Sequence, residues 1–460
     1  MQCAGLKGRK FGVIGGRAPL EGAERIRLLA TLASARADAA YFDAIFRQLP
    51  WRDEAVDSSE WKLRLFETIR EFEKCGVTTV LLPSLASAAF IDELRANAHV
   101  QIIDRGEAVQ RVIAESFPDA RCVGLLNADD LHARLSEVSF TCVYPRKQGI
   151  ESGDIQAACN SLIEQGAQII VHGLGDDARA AIESAARGVP IIDANLVCAQ
   201  HAIAGGDPVP AQPIKVGVVG GIGPAATVDF LHKVVRNTPA ARDQDHIKML
   251  VEQNPQIPDR TENLIGDGVD PTLSLYAACK RLEEGGADVI AMPCNTAHAF
   301  VERIQPHLGV PIVNMLTETA RYLRTTFPAL RDVGVLATSG TIESGVYRKA
   351  LESQGLREVA PSAALQARVM AAIYGKQGVK AGFTTGPCFD DIAAALDGLI
   401  AEGVEVVILG CTELPLLLAG GAYQSPSGAR VTLIDPTDVL AKRCVDFARG
   451  EKTQIATLYG

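Results

Sequence analysis

The two halves of this 460-residue chain repeat one pattern of strands, turns and helices. Residues 10–22 (KFGVIGGRAPLEG) answer residues 215–227 (KVGVVGGIGPAAT), and residues 81–104 answer residues 291–314. Residues 122–130 then answer 332–340, and 166–176 (GAQIIVHGLGD) answer 403–413 (GVEVVILGCTE). Four correspondences in the same order imply duplication of a unit of about two hundred residues. The boundary falls at residues 205–213 (GGDPVPAQP), whose glycines and prolines read as a linker. The expected organisation is a first unit over 1–206, a linker over 207–213 and a second unit over 214–460.

Each unit alternates short apolar runs with helical patterns, which predicts an α/β fold with parallel sheets flanked by helices. In the second unit, strands beginning at Val216 and Val333 predict two lobes. One lobe carries Cys294 and the other carries Cys411. Ligands in such sheets bind beyond the carboxyl ends of the strands, so facing lobes would put both thiols on one crevice. The last strand, 432–436 (TLIDP), and the helix after it are expected to return to the first lobe.

The stretch 288–298 (DVIAMPCNTAH) supplies the first chemical signal. A buried strand over 289–293 runs into Cys294, and Asn295 and Thr296 are natural caps for a helix continuing through 297–303. Unpaired N–H groups and the helix dipole would there favour a thiolate. A cysteine ending a core strand is also an ordinary packing residue. The pattern recurs at 403–413, however, where Cys411 follows its glycine at the same spacing and Thr412 stands beside it. Two strand-end cysteines in equivalent places favour chemistry over packing. The first unit has Ser84 and Leu174 at these positions. Leucine transfers no proton and serine needs an activating base, so the first unit reads as non-catalytic.

Composition narrows the function further. With 47% hydrophobic and 22% charged residues the chain has ample core, and its net charge of −10 argues against a nucleic-acid surface. A small anionic substrate is still compatible, because a few cations dominate a closed pocket. The 11 cysteines are scattered without metal-ligand spacing, which suggests a reducing compartment, and cytoplasmic location is the default expectation. No secretory leader and no transmembrane stretch is expected.

Two thiols on opposite sides of a pocket suit inversion at a C–H carbon. One, as thiolate, removes the proton, and the other, as thiol, returns one to the opposite face. Backbone N–H groups with Asn295, Thr296 and Thr412 can hold the adjacent carboxylate, and the chemistry needs no metal.

Five motifs now bear on the question: 217–227 (GVVGGIGPAAT), 254–261 (NPQIPDRT), 292–298 (MPCNTAH), 333–338 (VGVLAT) and 410–413 (GCTE). In these the chain resembles the aspartate/glutamate racemase superfamily, most closely its aspartate racemase branch. The resemblance covers essentially all of the second unit, and the first unit matches only as a degraded copy. It implies a tandem duplication of a two-lobed racemase-like unit and a cofactor-independent amino-acid racemase, with aspartate or glutamate favoured. It makes Cys294 and Cys411 the acid/base pair. It gives Arg260 and Lys380 the substrate's side-chain carboxylate, with Lys376 the alternative to Lys380. In the first unit, 50–56 (PWRDEAV) scrambles the PDRT pattern, which leaves substrate binding there in doubt.

Rival readings stay open. A maleate-type cis–trans isomerase also uses two cysteines, and an arylmalonate-type decarboxylase needs only one. A non-catalytic amino-acid sensor would retain the pocket without turnover. The PDRT and CNTAH motifs favour the racemase. Other signals are weaker. Residues 221–226 mimic a dinucleotide fingerprint, but Pro224 and the missing strand-end acid count against a nicotinamide site, and the turn is better read as a pocket wall. His298 either orients the site or packs, Glu413 either assists Cys411 or caps, and Thr338 in the turn 338–341 either touches substrate or only turns. Cys279 and Cys388 read as structural. The first unit is expected to pack as the partner subunit does in a homodimer of single-unit relatives; that would permit a monomer, with a homo-oligomer as the alternative.

Overall fold

A computed structural model describes residues 5–16, 19–49, 59–82, 88–128, 131–138, 140–145, 155–206, 213–425 and 428–450. Ser84, the scrambled segment 50–56 and most of the expected linker therefore lie outside the described residues. The chain divides into two compact units, Met1–Gln212 and Pro213–Gly460.

The first unit contains two parallel sheets. Strands β1 (Lys10–Gly15), β2 (Asp43–Gln48), β3 (Thr79–Leu81) and β4 (Gln101–Ile103) lie in the order β2-β1-β3-β4. Strands β5 (Cys122–Leu126), β6 (Thr141–Val143), β7 (Ile169–His172) and β8 (Ile191–Asp193) lie in the order β6-β5-β7-β8. Asp104 and Asp193, at the ends of β4 and β8, each accept two backbone N–H bonds and so cap the helix that follows.

The second unit repeats this scheme. Strands β9 (Lys215–Gly220), β10 (Lys248–Gln253), β11 (Val289–Ala291) and β12 (Ile312–Val313) lie in the order β10-β9-β11-β12. The other sheet joins β13 (Asp332–Leu336), β14 (Arg357–Val359), β15 (Val406–Leu409), β16 (Gly421–Gln424) and β17 (Arg430–Ile434) in the order β14-β13-β15-β17-β16. Only the pairing of β16 with β17 is antiparallel among the described pairings of this unit. Asn314 after β12 and Asp435 after β17 cap their helices just as Asp104 and Asp193 do. Among the described residues the two units thus share strand orders and cap positions.

The strands read as unbroken apolar runs because helices cover both faces of each sheet. Val216, Val218, Val289 and Ala291 face one cluster with Phe230 and Val234, while Val219 and Ile290 face another with Leu275, Leu282 and Phe300. The second sheet of this unit is sandwiched in the same way. One expectation is corrected here. The last strand, β17, does not return to the first lobe, because it pairs in parallel with β15 and completes the second sheet. The helix Pro436–Arg449 does return, burying Leu440, Ala441, Cys444 and Phe447 against Val216, Val218 and Phe230. The Asp435 cap is thus the point at which the chain crosses between lobes.

The described cysteines are all free. Among the described residues no helix is long and apolar enough to cross a membrane.

Candidate active site

Both cysteines follow core strands, but neither opens an α-helix. Strand β11 ends at Ala291, and the Cys294 N–H closes a tight turn onto the Met292 carbonyl at 2.7 Å. A 3₁₀ segment, Thr296–Phe300, comes next, and α-helix is confined to Val301–Ile304. Cys411 is followed only by the short 3₁₀ turn Leu414–Leu416. The expected helix with Asn295 and Thr296 as caps is therefore corrected, and with it the helix-dipole argument for a thiolate. The reason is competition for the side chains. Asn295 Oδ1 accepts from the Tyr347 hydroxyl at 2.5 Å, and Thr296 Oγ1 pairs with Thr341 Oγ1 at 2.7 Å. Neither is left to cap a backbone.

His298 fastens this turn. Its Nε2 accepts from the Met315 N–H at 3.1 Å, so the proton sits on Nδ1, which donates to the Cys294 carbonyl at 2.9 Å. Burial lowers its pKa and keeps the ring neutral. His298 thus ties the thiol-bearing turn to the helix Met315–Thr326 and moves no proton. Replacing it with phenylalanine leaves a buried carbonyl and a buried N–H unpaired, a cost of about 2–4 kcal/mol. Thermal unfolding should record this as a midpoint lowered by several degrees, and an unchanged midpoint would refute the role.

Cys294 and Cys411, each 6% exposed, line one pocket of about 280 Å³. Arg260, Asn295, Thr296, Thr338, Lys380 and Thr412, the other residues expected at the site, line it too. Ile222, Thr261, Tyr374 and Glu413 complete the lining. Lys376 is exposed and takes no part in it, so Lys380 is the lysine at the pocket.

The two thiols stand in different electrostatic settings. Cys411 Sγ donates to Glu413 Oε2 at 3.0 Å, and burial followed by the Glu413 charge pushes its pKa well up, against the pull of Lys380. Cys294 lies beside the Arg260 guanidinium. Burial opposes that cation, but Cys294 and Asp259 outweigh burial and hold its pKa above the ordinary arginine value. Lys380 sits 3.4 Å from Glu413 Oε1 and 5.0 Å from the centre of the Tyr374 ring. Its pKa is raised, with Glu413 the largest influence against burial. Glu413 is accordingly an acceptor for the Cys411 thiol and not a helix cap.

Of the residues that line this pocket, two carry a buried donor with no hydrogen-bond partner among the described residues: Arg260 Nε and Asn295 Nδ2. Arg260 Nη1 donates to the Ile257 and Pro258 carbonyls at 3.3 and 2.9 Å, which fixes the side chain. The threonines behave differently. Thr261, Thr296, Thr338 and Thr341 pool their hydroxyls in one buried cluster, with Thr261 bonded to Thr338 at 3.0 Å and Thr338 to Thr341 at 3.1 Å. Thr412 Oγ1 turns to Glu413 at 3.4 Å.

The glycine-rich turn is explained by crowding and not by a nucleotide. A Cβ on Gly221, whose φ is +87°, would meet the Asn254 backbone at 2.5 Å. One on Gly223 would meet Glu413 Oε1 at the same distance. The turn thereby packs against both the loop that leads to Arg260 and the carboxylate that holds Cys411. Cys279 is buried, with its pKa raised to about 12 by burial, and Cys388 Sγ donates to the Phe383 and Thr385 carbonyls, so both are packing residues.

Tyr374, Thr261 and Tyr347 escaped the sequence reading. Thr261 adjoins Arg260 and was within reach. Only folding brings Tyr374 to the pocket and the buried Tyr347 hydroxyl to Asn295 behind it.

An α/β unit that gathers two strand-end cysteines, an arginine and a lysine around one pocket has the parts of an acid/base site. The family comparisons agree with that class. Residues 219–444 match the Asp/Glu/Hydantoin racemase family, and the chain belongs to it. It is 30% identical over 236 residues to the broad specificity amino-acid racemase RacX of Bacillus subtilis, covering 50% of this chain and 96% of that one. It is 34% identical over 165 residues to a glutamate racemase of Corynebacterium glutamicum, covering 35% of this chain and 56% of the relative. Among solved structures, an aspartate racemase of Picrophilus torridus is 31% identical, covers 54% of this chain and 99% of its own, and superposes with a TM-score of 0.45.

Proposed function

We propose that the second unit racemises a small acidic amino acid, aspartate or glutamate, with Cys294 and Cys411 as the two acid/base groups. The observation that carries this is the pair of unpartnered buried donors, Arg260 Nε and Asn295 Nδ2, lining the same pocket as the two thiols. A buried donor without an acceptor is costly, and a carboxylate would satisfy both. Such a ligand would also balance the cations Arg260 and Lys380.

Cys411, bonded to Glu413 with its pKa pushed up, enters as the acid. Cys294, beside Arg260, enters as the base. Its thiolate takes the Cα proton, and the electron pair left on Cα delocalises into the α-carboxylate. The Cys411 thiol then delivers its proton to the opposite face, leaving Cys411 as thiolate and Cys294 as thiol. The reverse substrate uses the exchanged protonation state. Asn295 and the cations stabilise the carbanion by hydrogen bonding and charge already in place. The chemistry of this scheme is complete without a cofactor.

The first unit, with Leu174 where Cys411 stands, is read as a non-catalytic copy produced by duplication and joined through residues 207–213. The test of the whole proposal is chiral chromatography of L- and D-aspartate and glutamate incubated with the intact chain. Interconversion of either pair supports it. Binding without interconversion supports an amino-acid sensor, and conversion of maleate to fumarate alone supports the isomerase.

A second test concerns Glu413. Replacing it with glutamine removes the charge that raises the Cys411 pKa and leaves Lys380 free to lower it further. The pH at which Cys411 is half-alkylated by iodoacetamide should therefore fall. A midpoint that stays or rises would contradict the assigned coupling.

A further inference from the structure

Tyr374 belongs to two spaces at once. Its ring lines the catalytic pocket, under the Lys380 ammonium at 5.0 Å, and it also lines a wider outer groove of about 980 Å³. Thr261 is the other residue common to both. Ile265, Met370, Gly266 and Gly268 supply the groove's apolar surface, and Asp259, Glu262 and Asp267 also line it, so it offers room for carbon atoms and repels a carboxylate. The Tyr374 hydroxyl donates to Asp259 Oδ2 at 3.2 Å, and Asp259 is the cap of the helix that begins with Arg260. The ring is thus pinned across the junction between the two spaces by the element that carries the carboxylate-binding arginine.

We propose that Tyr374 sets the side-chain length this site accepts. With the ring in place, a substrate side chain must end at Arg260 and Lys380, which suits the short acidic residues. With the ring withdrawn, the groove continues the pocket and takes an unbranched apolar side chain such as that of methionine or norleucine. This rests on the racemase reading above and adds the residue that decides between acidic and longer apolar amino acids.

Two readouts test it, one of them independent of turnover. The native chain and its Tyr374→Ala, Tyr374→Leu and Tyr374→Phe variants are labelled with iodoacetamide and with the bulkier N-phenylmaleimide, and Cys294 and Cys411 are followed by mass spectrometry. Alanine or leucine should raise the rate of bulky over small labelling by about tenfold, while phenylalanine, which keeps the ring and loses only the hydroxyl, should change it by less than about threefold. The same variants are assayed for racemisation of aspartate and methionine. The methionine-to-aspartate ratio of kcat/KM should rise by about tenfold or more in the alanine or leucine variant. Unchanged labelling selectivity in both shortened variants would overturn the wall, and opened labelling with an unchanged ratio would overturn its role in specificity. A native chain that racemises nothing would sink the racemase reading, and the labelling would still decide whether Tyr374 separates the two spaces.

Discussion

Replacing either Cys294 or Cys411 with alanine is expected to lower racemisation in both directions by about 10³- to 10⁴-fold. Each thiol serves as base for one enantiomer and as acid for the other, so one cannot substitute for its partner. The loss should appear in kcat and not as a weakened KM, because Arg260, Asn295 and Lys380 remain. Folding should survive both changes. At Cys411 the facing carboxylate keeps Lys380 and the Thr412 hydroxyl, so the deletion does not strand a buried charge. At Cys294 the backbone turn is held by His298 and not by the thiol. Serine in place of either cysteine should be nearly as poor as alanine, since its hydroxyl is far less acidic than a thiol. A single variant retaining more than about a tenth of native kcat would refute the two-thiol scheme.

The second large effect is at Arg260. Alanine there removes a buried cation, only 6% exposed, whose Nε has no acceptor among the described residues. Loss of a buried partner for a carboxylate should lower kcat/KM for aspartate by about 10²- to 10³-fold. Lysine should restore little of it, because an ammonium cannot present the planar fork or keep the bonds to the Ile257 and Pro258 carbonyls in register. The measurement is initial-rate kinetics at several substrate concentrations. A kcat/KM within about threefold of native in the alanine variant would remove Arg260 from substrate binding.

Much of this architecture was legible before folding. The apolar runs at Val216, Val289, Val333 and Val406 announced parallel strands, because a strand covered on both faces carries no polar alternation. The repeat announced alternating strands and helices in both units, and the strand-end cysteines announced the pocket. What the chain concealed was decided by competition among side chains. Asn295 and Thr296 look like caps in isolation, yet Tyr347 and Thr341, about fifty residues away in sequence, claim them first. The helix-terminus argument for a thiolate failed for the same reason, and at Cys411 the carboxylate of Glu413 reverses its sign. The return of the chain between lobes was placed one element too early, since β17 finds a partner in β15 before the helix Pro436–Arg449 finds its apolar seat. Tyr374 had no local signal at all. Its importance comes from standing between two spaces that only the tertiary structure creates.

The central claim is that two opposed thiols exchange a proton at Cα, and the most direct measurement is isotope incorporation. L-aspartate, or glutamate if it is the better substrate, is incubated with the intact chain in heavy water. Both enantiomers are separated at low conversion and examined by mass spectrometry. The two-thiol scheme predicts one deuterium at Cα in the newly formed D-enantiomer, while the remaining L-enantiomer still carries protium. Equal deuterium in both enantiomers would point to one base working on both faces, and D-enantiomer formed without deuterium would show that solvent-exchangeable thiols do not supply the proton.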